Sequence, residues 1–517
     1  MHIQNIRNQQ RGMALLLALL ALLLISAIGL GMVYMSNTET AVNTNYKDTQ
    51  TAFFSVRAGM EEMRDRMRSS SGAPITLPTA MPPAANSIVY ITNPAGASDT
   101  VDPATFGNLY FDDELCHENF TPGMPSVSYS TPCTAAGAAP GGSYTYVPSF
   151  SLNTNTPAAL KYKWVRLTLK QNGTVGTGAS QWVDSTQAAT APVCWDSMNN
   201  REVPSTTLGY ANCAAAATAG LSVEPTYLVT ALSITPQGSR RVSQYETAAL
   251  NITPPPAALA LDGPAAQFNP APSSNNYFAN GNDNGASGYT GPGACTPSGP
   301  SQVPAISTGD ATGVSNVKGT IPTNRYGNYT GTPGSPTATP SIIDAGSGGT
   351  NQLSGAWSSP AELNNLVSNL ANAADLSLSC GIGAPCSFPA AGLGTDAAPQ
   401  ITYVNGDFNM GSNSGSGILV VTGTLNITGQ SGFNGLILII GQGVLTESGG
   451  GGGQFNGSIF LAKTNSSTPP YSQLASLASP LIAWNGGGTN GIQYNSCWAN
   501  IGNNMHFLVV ASREEMY

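Results

Sequence analysis

The sequence predicts an α+β protein that is mainly β. It has a long N-terminal membrane and stem helix, a small β-rich domain, and a C-terminal parallel β-helix-like solenoid. Three observations carry this reading. Residues 13–35 form an uncharged apolar run, and the chain from Asn37 to Arg68 contains no proline. In the C-terminal half, short apolar runs recur between glycines.

The run MALLLALLALLLISAIGLGMVYM, as a helix rising 1.5 Å per residue, is roughly 35 Å long, enough for a bilayer core of ~30 Å. It is too long for the apolar core of a cleaved secretory signal. Arg7 and Arg11 precede it and the following segment is neutral to acidic, which predicts a cytoplasmic N-terminus and an exported remainder. Beyond it, Phe53, Val56, Met60, Met63 and Met67 recur at steps of 3, 4, 3 and 4, an apolar stripe on one helix face. A long helix, apolar at one end and striped at the other, suits a subunit whose stem packs among others. Ser69-Ser70-Ser71-Gly72-Ala73-Pro74 supplies the stop.

Composition narrows the function. Charged residues are 9% of the chain, against about 25% in an ordinary soluble domain. The net charge of −9 and the absence of a basic cluster after Arg68 longer than Arg240-Arg241 argue against nucleic acid as a partner. Eight cysteines, an even number without a C-x-x-C pair, favour disulfides in an oxidising compartment over zinc. Sequence leaves their connectivity open. Neighbours in the chain are the simplest pairs: Cys116 with Cys133, Cys194 with Cys213, and Cys380 with Cys386, leaving Cys295 with Cys497.

Residues 69–253 form the Pro- and Ser/Thr-rich region with its β-rich domain. Strands are expected at Ser87–Thr92, Ser143–Pro148 and Lys161–Lys170. Tyr227–Ile234 and Arg240–Thr247 flank a Pro-Gln-Gly-Ser turn as a hairpin. Residues 257–517 form the repeat domain. Phe408-Asn409-Met410-Gly411, Phe433-Asn434-Gly435 and Phe455-Asn456-Gly457 recur at spacings of 25 and 22. Leu436–Ile440 is apolar throughout, as strands buried on both faces are. His506–Ala511 is expected as a late rung. Ser359-Pro360-Ala361-Glu362 reads as a capping box opening a short helix with Leu363, Leu366 and Leu370.

No catalytic centre, cofactor or metal site is expected. The carboxylates after residue 257 are scattered, Asn282-Asp283-Asn284 reads as a turn, and His2, His117 and His506 offer no triad. Gly449–Gly453 lacks the Lys-Ser/Thr of a phosphate loop.

Arg11-Gly12-Met13-Ala14-Leu15-Leu16 resembles a class III prepilin leader. Asn45-Tyr46-Lys47-Asp48 and Ala52-Phe53-Phe54-Ser55-Val56-Arg57-Ala58-Gly59-Met60-Glu61 are similar to the stem of PilX-type minor pilins. The resemblance covers residues 7–68, with residues 1–12 as leader and 13–68 as membrane and stem helix. It implies cleavage after Gly12 by prepilin peptidase and an N-methylated Met13. Leu17, Phe53, Val56, Met60, Met63 and Met67 are then the expected filament-packing residues, and Leu17 stands where major pilins carry a glutamate, which implies a tip or initiation subunit rather than a shaft subunit. Implied partners are prepilin peptidase, the pilus assembly platform in the inner membrane, other minor pilins and a tip adhesin. The implied location is the inner membrane, crossed once, and then the cell surface. Two alternatives stand beside it: a type II secretion pseudopilin, and an anchored β-helix that binds or acts on a surface glycan.

Overall fold

The computed structural model describes residues 3–92, 102–112, 144–148, 162–173, 183–269, 278–346 and 353–516, apart from short stretches within them. Helix α1 (Ile3–Met67) is continuous. Its serine and threonine hydroxyls donate to carbonyls one turn back, as Ser26 does to Leu22 O (2.8 Å) and Thr38 to Tyr34 O (2.9 Å). That satisfies polar groups along an apolar rod without breaking it. Arg64 and Arg66 in the last turn face the negative end of the helix dipole.

The C-terminal third of α1 lies on an antiparallel sheet. Its strands are β1 (Ile88–Thr92), β2 (Tyr144–Pro148), β3 (Tyr162–Leu169), β4 (Val193–Asp196), β5 (Arg201–Pro204), β6 (Val223–Ile234) and β7 (Arg240–Ala249). The path β2-β1-β3-β6-β7 is antiparallel except for β1 with β2, and β4 and β5 attach beside the start of β6. Val56, Met60, Met63 and Met67 pack against Val89, Val165, Leu167, Val229 and Tyr245. Each such buried side chain contributes about 1.5–3 kcal/mol. Gly59 allows the close approach: a Cβ there would sit 2.7 Å from Val165 Cγ2 and 2.8 Å from Tyr162 Cδ1. The same contact buries Glu62, which accepts from the Tyr162 hydroxyl (2.7 Å) and from Arg66 (3.3 Å). On the sheet's other face, Arg166 and Tyr90 both donate to the buried Asp112.

The sequence places His506–Ala511 in the C-terminal stack. Instead Phe507–Met516 forms a strand antiparallel to β7, with Phe507 opposite Ala249 and Met516 opposite Arg241; His506 itself lies outside the described residues. Everything between Ala249 and Phe507 is therefore an insertion between two neighbouring strands of the stem sheet. Alternation alone does not reveal a strand's partner, so the sequence could not show this pairing.

Among the described residues the insertion is built from two further sheets, one of twelve strands and one of six, paired almost wholly in parallel. The chain alternates between them. Leu376–Ser379, Gln400–Asn405, Ser414–Val421, Gly432–Gly441 and Gln454–Asn465 lie side by side in the larger sheet. Cys386–Ser387, Phe408–Gly411, Thr424–Thr428, Val444–Ser448 and Leu481–Trp484 do so in the smaller. The next layer is made from two distant pieces of chain. Gln454–Gly457 pairs with Gly491–Tyr494, while Ile459–Ala462 pairs with Leu259–Asp262. Phe278–Asn280 and Ile306–Thr308 come next, then Tyr329–Thr330 and Ile342–Asp344. The chain thus enters mid-stack, winds outward to one end, crosses to the other end, winds back and leaves mid-stack.

The crossing element is the helix Pro360–Asn372, which packs over Gln400–Asn405, Gly432–Gly441 and Gln454–Asn465. It covers one side of strands whose other side faces the core. Leu436, Leu438 and Ile440 meet Leu363, Leu366 and Leu370, while Ile437 and Ile439 point inward to Phe433, Phe455 and Ile459. This is why the run is apolar throughout. The capping box does not form: Ser359 occupies the N-cap position but its side chain makes no capping bond.

The aromatic repeat needs correcting. Phe433 and Phe455 are in register, but Phe408 lies in the smaller sheet opposite Leu425. The layer before Phe433 carries Gly415 instead. At the following corner Gly417, Gly435 and Gly457 have φ of 125°, 145° and 136°. A Cβ on Gly435 would lie 1.8 Å from the Gly417 carbonyl oxygen, so only glycine fits. Disulfides join Cys194 to Cys213, Cys295 to Cys497 and Cys380 to Cys386, while Cys116 and Cys133 lie outside the described residues.

Two outcomes follow. Gly59→Leu should lower the melting temperature of the detergent-solubilised chain, because overpacking at about 1–3 kcal/mol exceeds the ~1 kcal/mol gained in helix propensity. Removing residues 507–517 exposes β7 as a sheet edge; limited proteolysis should then cut first within 223–249, leaving fragments of the inserted stack.

Candidate functional site

Two surfaces stand out, and the first is α1 itself. From Met13 to Tyr46 the described side chains are exposed, with Met13 at 69% and Leu17 at 66%. A window here has a mean hydropathy of 2.7 and no burial, so α1 is long and apolar enough to cross a membrane once. Water does not tolerate so large a contiguous apolar surface, which must be covered by lipid or protein. Gly12 lies within α1, directly before this surface.

The stripe assigned to packing among neighbours is used within the chain. Val56, Met60, Met63 and Met67 are buried on the stem sheet, none more than 7% exposed. Phe53 is half-buried, with the Arg241 guanidinium 4.6 Å from its ring centroid. The residues left for neighbours are on other faces, Val42, Tyr46 and Phe54 among them. Sequence periodicity finds a buried face but does not say whose surface buries it.

The second surface is a polar row on the larger parallel sheet. Phe433, Phe455, Ile492, Ala279 and Tyr329 point into the core, in register with Gly415 in the layer before them. The next residue in each layer is polar: Ser416, Asn434, Asn456, Gln493, Asn280 and Thr330. Asn456 Nδ2 donates to Asn434 Oδ1 (2.8 Å), and Asn434 Nδ2 donates to both oxygens of Asp396 (2.9 and 3.1 Å). The hydroxyls of Ser416 and Thr290 also donate to Asp396. Further along, Asn280 Nδ2 donates to Gln493 Oε1 (2.9 Å) and the Thr330 hydroxyl to Asn280 Oδ1 (2.8 Å). Burial raises the Asp396 carboxyl, but the hydrogen bonds from Ser416, Thr290 and Asn434 outweigh it and hold it below the usual carboxylate range.

Beside this row lies an open recess of about 610 Å³, bordered by Thr395, Asp396, Ser414, Gln430, Asn434 and Gln454. The sequence does not reveal it, because its lining residues lie far apart in the chain. The available signal was a polar residue and a glycine ahead of an apolar run, as in Asn434-Gly435 before Leu436–Ile440 and Asn456-Gly457 shortly before Ile459–Ala462.

Among the described residues, no three His, Cys, Asp or Glu side chains converge on a point that could hold a metal. Asp283, in the Asn282-Asp283-Asn284 turn, accepts from the backbone N–H of Gly285 (2.9 Å) and of Ser496 (2.9 Å). Asp407 likewise accepts from the backbone N–H groups of Gly383 and Thr424 (both 2.6 Å). These carboxylates pin turns.

Compared with protein-family models, curated proteins and solved structures, the chain finds no match.

Asp262, at the end of Leu259–Asp262, gives a measurable consequence. Burial pushes its carboxyl up to about 8, and its Oδ2 has no hydrogen-bond partner. A raised carboxyl favours the fold when protonated, so its stabilising contribution is complete below the unfolded value near 3.8 and is lost as pH rises through about 8. Asp262→Asn should therefore raise the melting temperature more at pH 8 than at pH 5.

Proposed function

We propose that this chain is a pilin-type subunit: an inner-membrane protein crossing the bilayer once, matured by prepilin peptidase, and carried into a type IV pilus. The observation that supports it best is the division of α1. Its C-terminal third is clamped to an antiparallel sheet through Val56, Gly59, Met60, Met63 and Met67. Its N-terminal part is bare and apolar from Met13 onward. A static anchor needs about 20 apolar residues. It does not need a rigid helix that continues unbroken from the membrane into the folded head. The leader-like Arg11-Gly12-Met13 and the stem motif containing Gly59 point the same way.

In this reading Gly12 ends the leader and Met13 becomes the methylated terminus. Arg7 and Arg11 hold the N-terminus in the cytoplasm, and the disulfide-linked remainder matures outside. The parallel stack is a β-helix head carried by the stem domain. Leu17, in place of a carboxylate, and an inserted head of some 250 residues between Ala249 and Phe507 both suit a tip or initiation position. The partners are the assembly platform and other minor pilins, which cover the exposed face of α1.

Gly12→Val should block maturation. The wild-type chain is expected in the sheared surface-filament fraction, and the variant in the membrane fraction. Equal recovery of both from sheared filaments would rule the proposal out.

A further inference from the structure

The recess beside the polar row has the make-up of a ligand subsite. Its floor is a missing side chain: Gly432 sits opposite Ser414, and a Cβ there would lie 3.0 Å from the Gln454 carbonyl oxygen and 3.4 Å from Ser414 Oγ. The outward row Ser414, Gly432, Gln454 thus has a gap in its middle. Gly394, Gly452 and Gly453 add more bare backbone to the lining.

The polar atoms at this gap divide into two groups. Asp396 is saturated, accepting from Ser416, Thr290 and Asn434. It also fixes the sense of the row, turning the Asn434 amide N–H towards itself and the Asn434 carbonyl towards Asn456. The side chains of Ser414, Gln430 and Gln454, by contrast, make no hydrogen bond among the described residues, and Ser414 and Gln454 are exposed. Donors and acceptors therefore stand around a side-chain-free floor, on layers separated by the ~4.8 Å of adjacent strands.

The ligand class follows from charge and shape. Among the described residues Asp396 is the only ionisable group lining the recess, and it is held ionised, so anionic polymers and phosphates meet repulsion without a compensating Lys or Arg. A peptide needs apolar anchor pockets, but the one aromatic at the recess among the described residues, Phe433, is 2% exposed and faces the core. We propose that this recess is a subsite for a neutral, hydroxyl-rich glycan chain lying along the stack. A lone saturated carboxylate leaves no acid–base pair, so the site binds and does not cleave. The proposal does not depend on maturation after Gly12 and stands or falls separately from the filament reading.

The test uses the full chain in detergent, by affinity electrophoresis through gels containing dextran, mannan or galactomannan, with alginate and polygalacturonate as anionic probes. Ser414→Trp fills the recess from an exposed position, and Thr428→Trp places the same side chain on the smaller sheet. Retardation by at least one neutral polymer is expected, weakened at least about tenfold in Ser414→Trp at unchanged melting temperature and preserved in Thr428→Trp. No retardation by any neutral polymer, stronger retardation by the anionic ones, or an unaffected Ser414→Trp chain would each overturn it. Should Ser414→Trp melt early, Gln454→Ala serves in its place, with reduced retardation supporting the site and unchanged retardation opposing it.

Discussion

The whole arrangement depends on one contact, that between the C-terminal third of α1 and the sheet beneath it. Gly59 brings the helix backbone close enough for Val56, Met60, Met63 and Met67 to interdigitate with Val165, Leu167 and Val229. The contact also explains two buried charges. Glu62 is removed from water there, and the Tyr162 hydroxyl and Arg66 guanidinium replace its hydration. Because this face is used internally, the apolar part of α1 from Met13 to Tyr46 is left uncovered among the described residues, and its surface is available to lipid or to neighbours.

The sheet then carries the head. β7 leads into the insertion and the strand Phe507–Met516 returns from it, pairing with β7 from Ala249 to Arg241. Two adjacent strands, rather than a single linker, therefore tether the parallel stack. Entry and exit lie together at mid-stack, where Leu259–Asp262 and Gly491–Tyr494 both pair with Gln454–Asn465. Asn495 and Asp283 tie the two arms there: the Asn495 amide donates to Asn284 Oδ1 (2.6 Å) and the Ser496 backbone N–H to Asp283. The Cys295–Cys497 disulfide, joining residues 202 apart in sequence, closes the same joint.

Much of this was legible in the residues, because local pattern encodes local structure. The α1 stripe, the strand at 162–169, the hairpin around Gly238 and the all-apolar run at Leu436–Ile440 follow from periodicity, turn chemistry and burial. What stayed hidden is non-local. Nothing in Phe507–Met516 names β7 as its partner, and Phe408 carries the same local signature as Phe433 while lying in a different sheet. The polar row was hidden for the same reason. Ser416, Asn434 and Asn456 look like turn residues one at a time, and they become a surface only when parallel pairing sets them in register.

The most direct test of the central claim, that α1 belongs to a pilin-type subunit, is the intact mass of the protein recovered from its native membrane, with and without prepilin peptidase. The account predicts a chain beginning at methylated Met13 that reverts to the full-length mass when the peptidase is absent. A chain that begins at Met1 in both cases would contradict it, leaving α1 as a fixed anchor for the head.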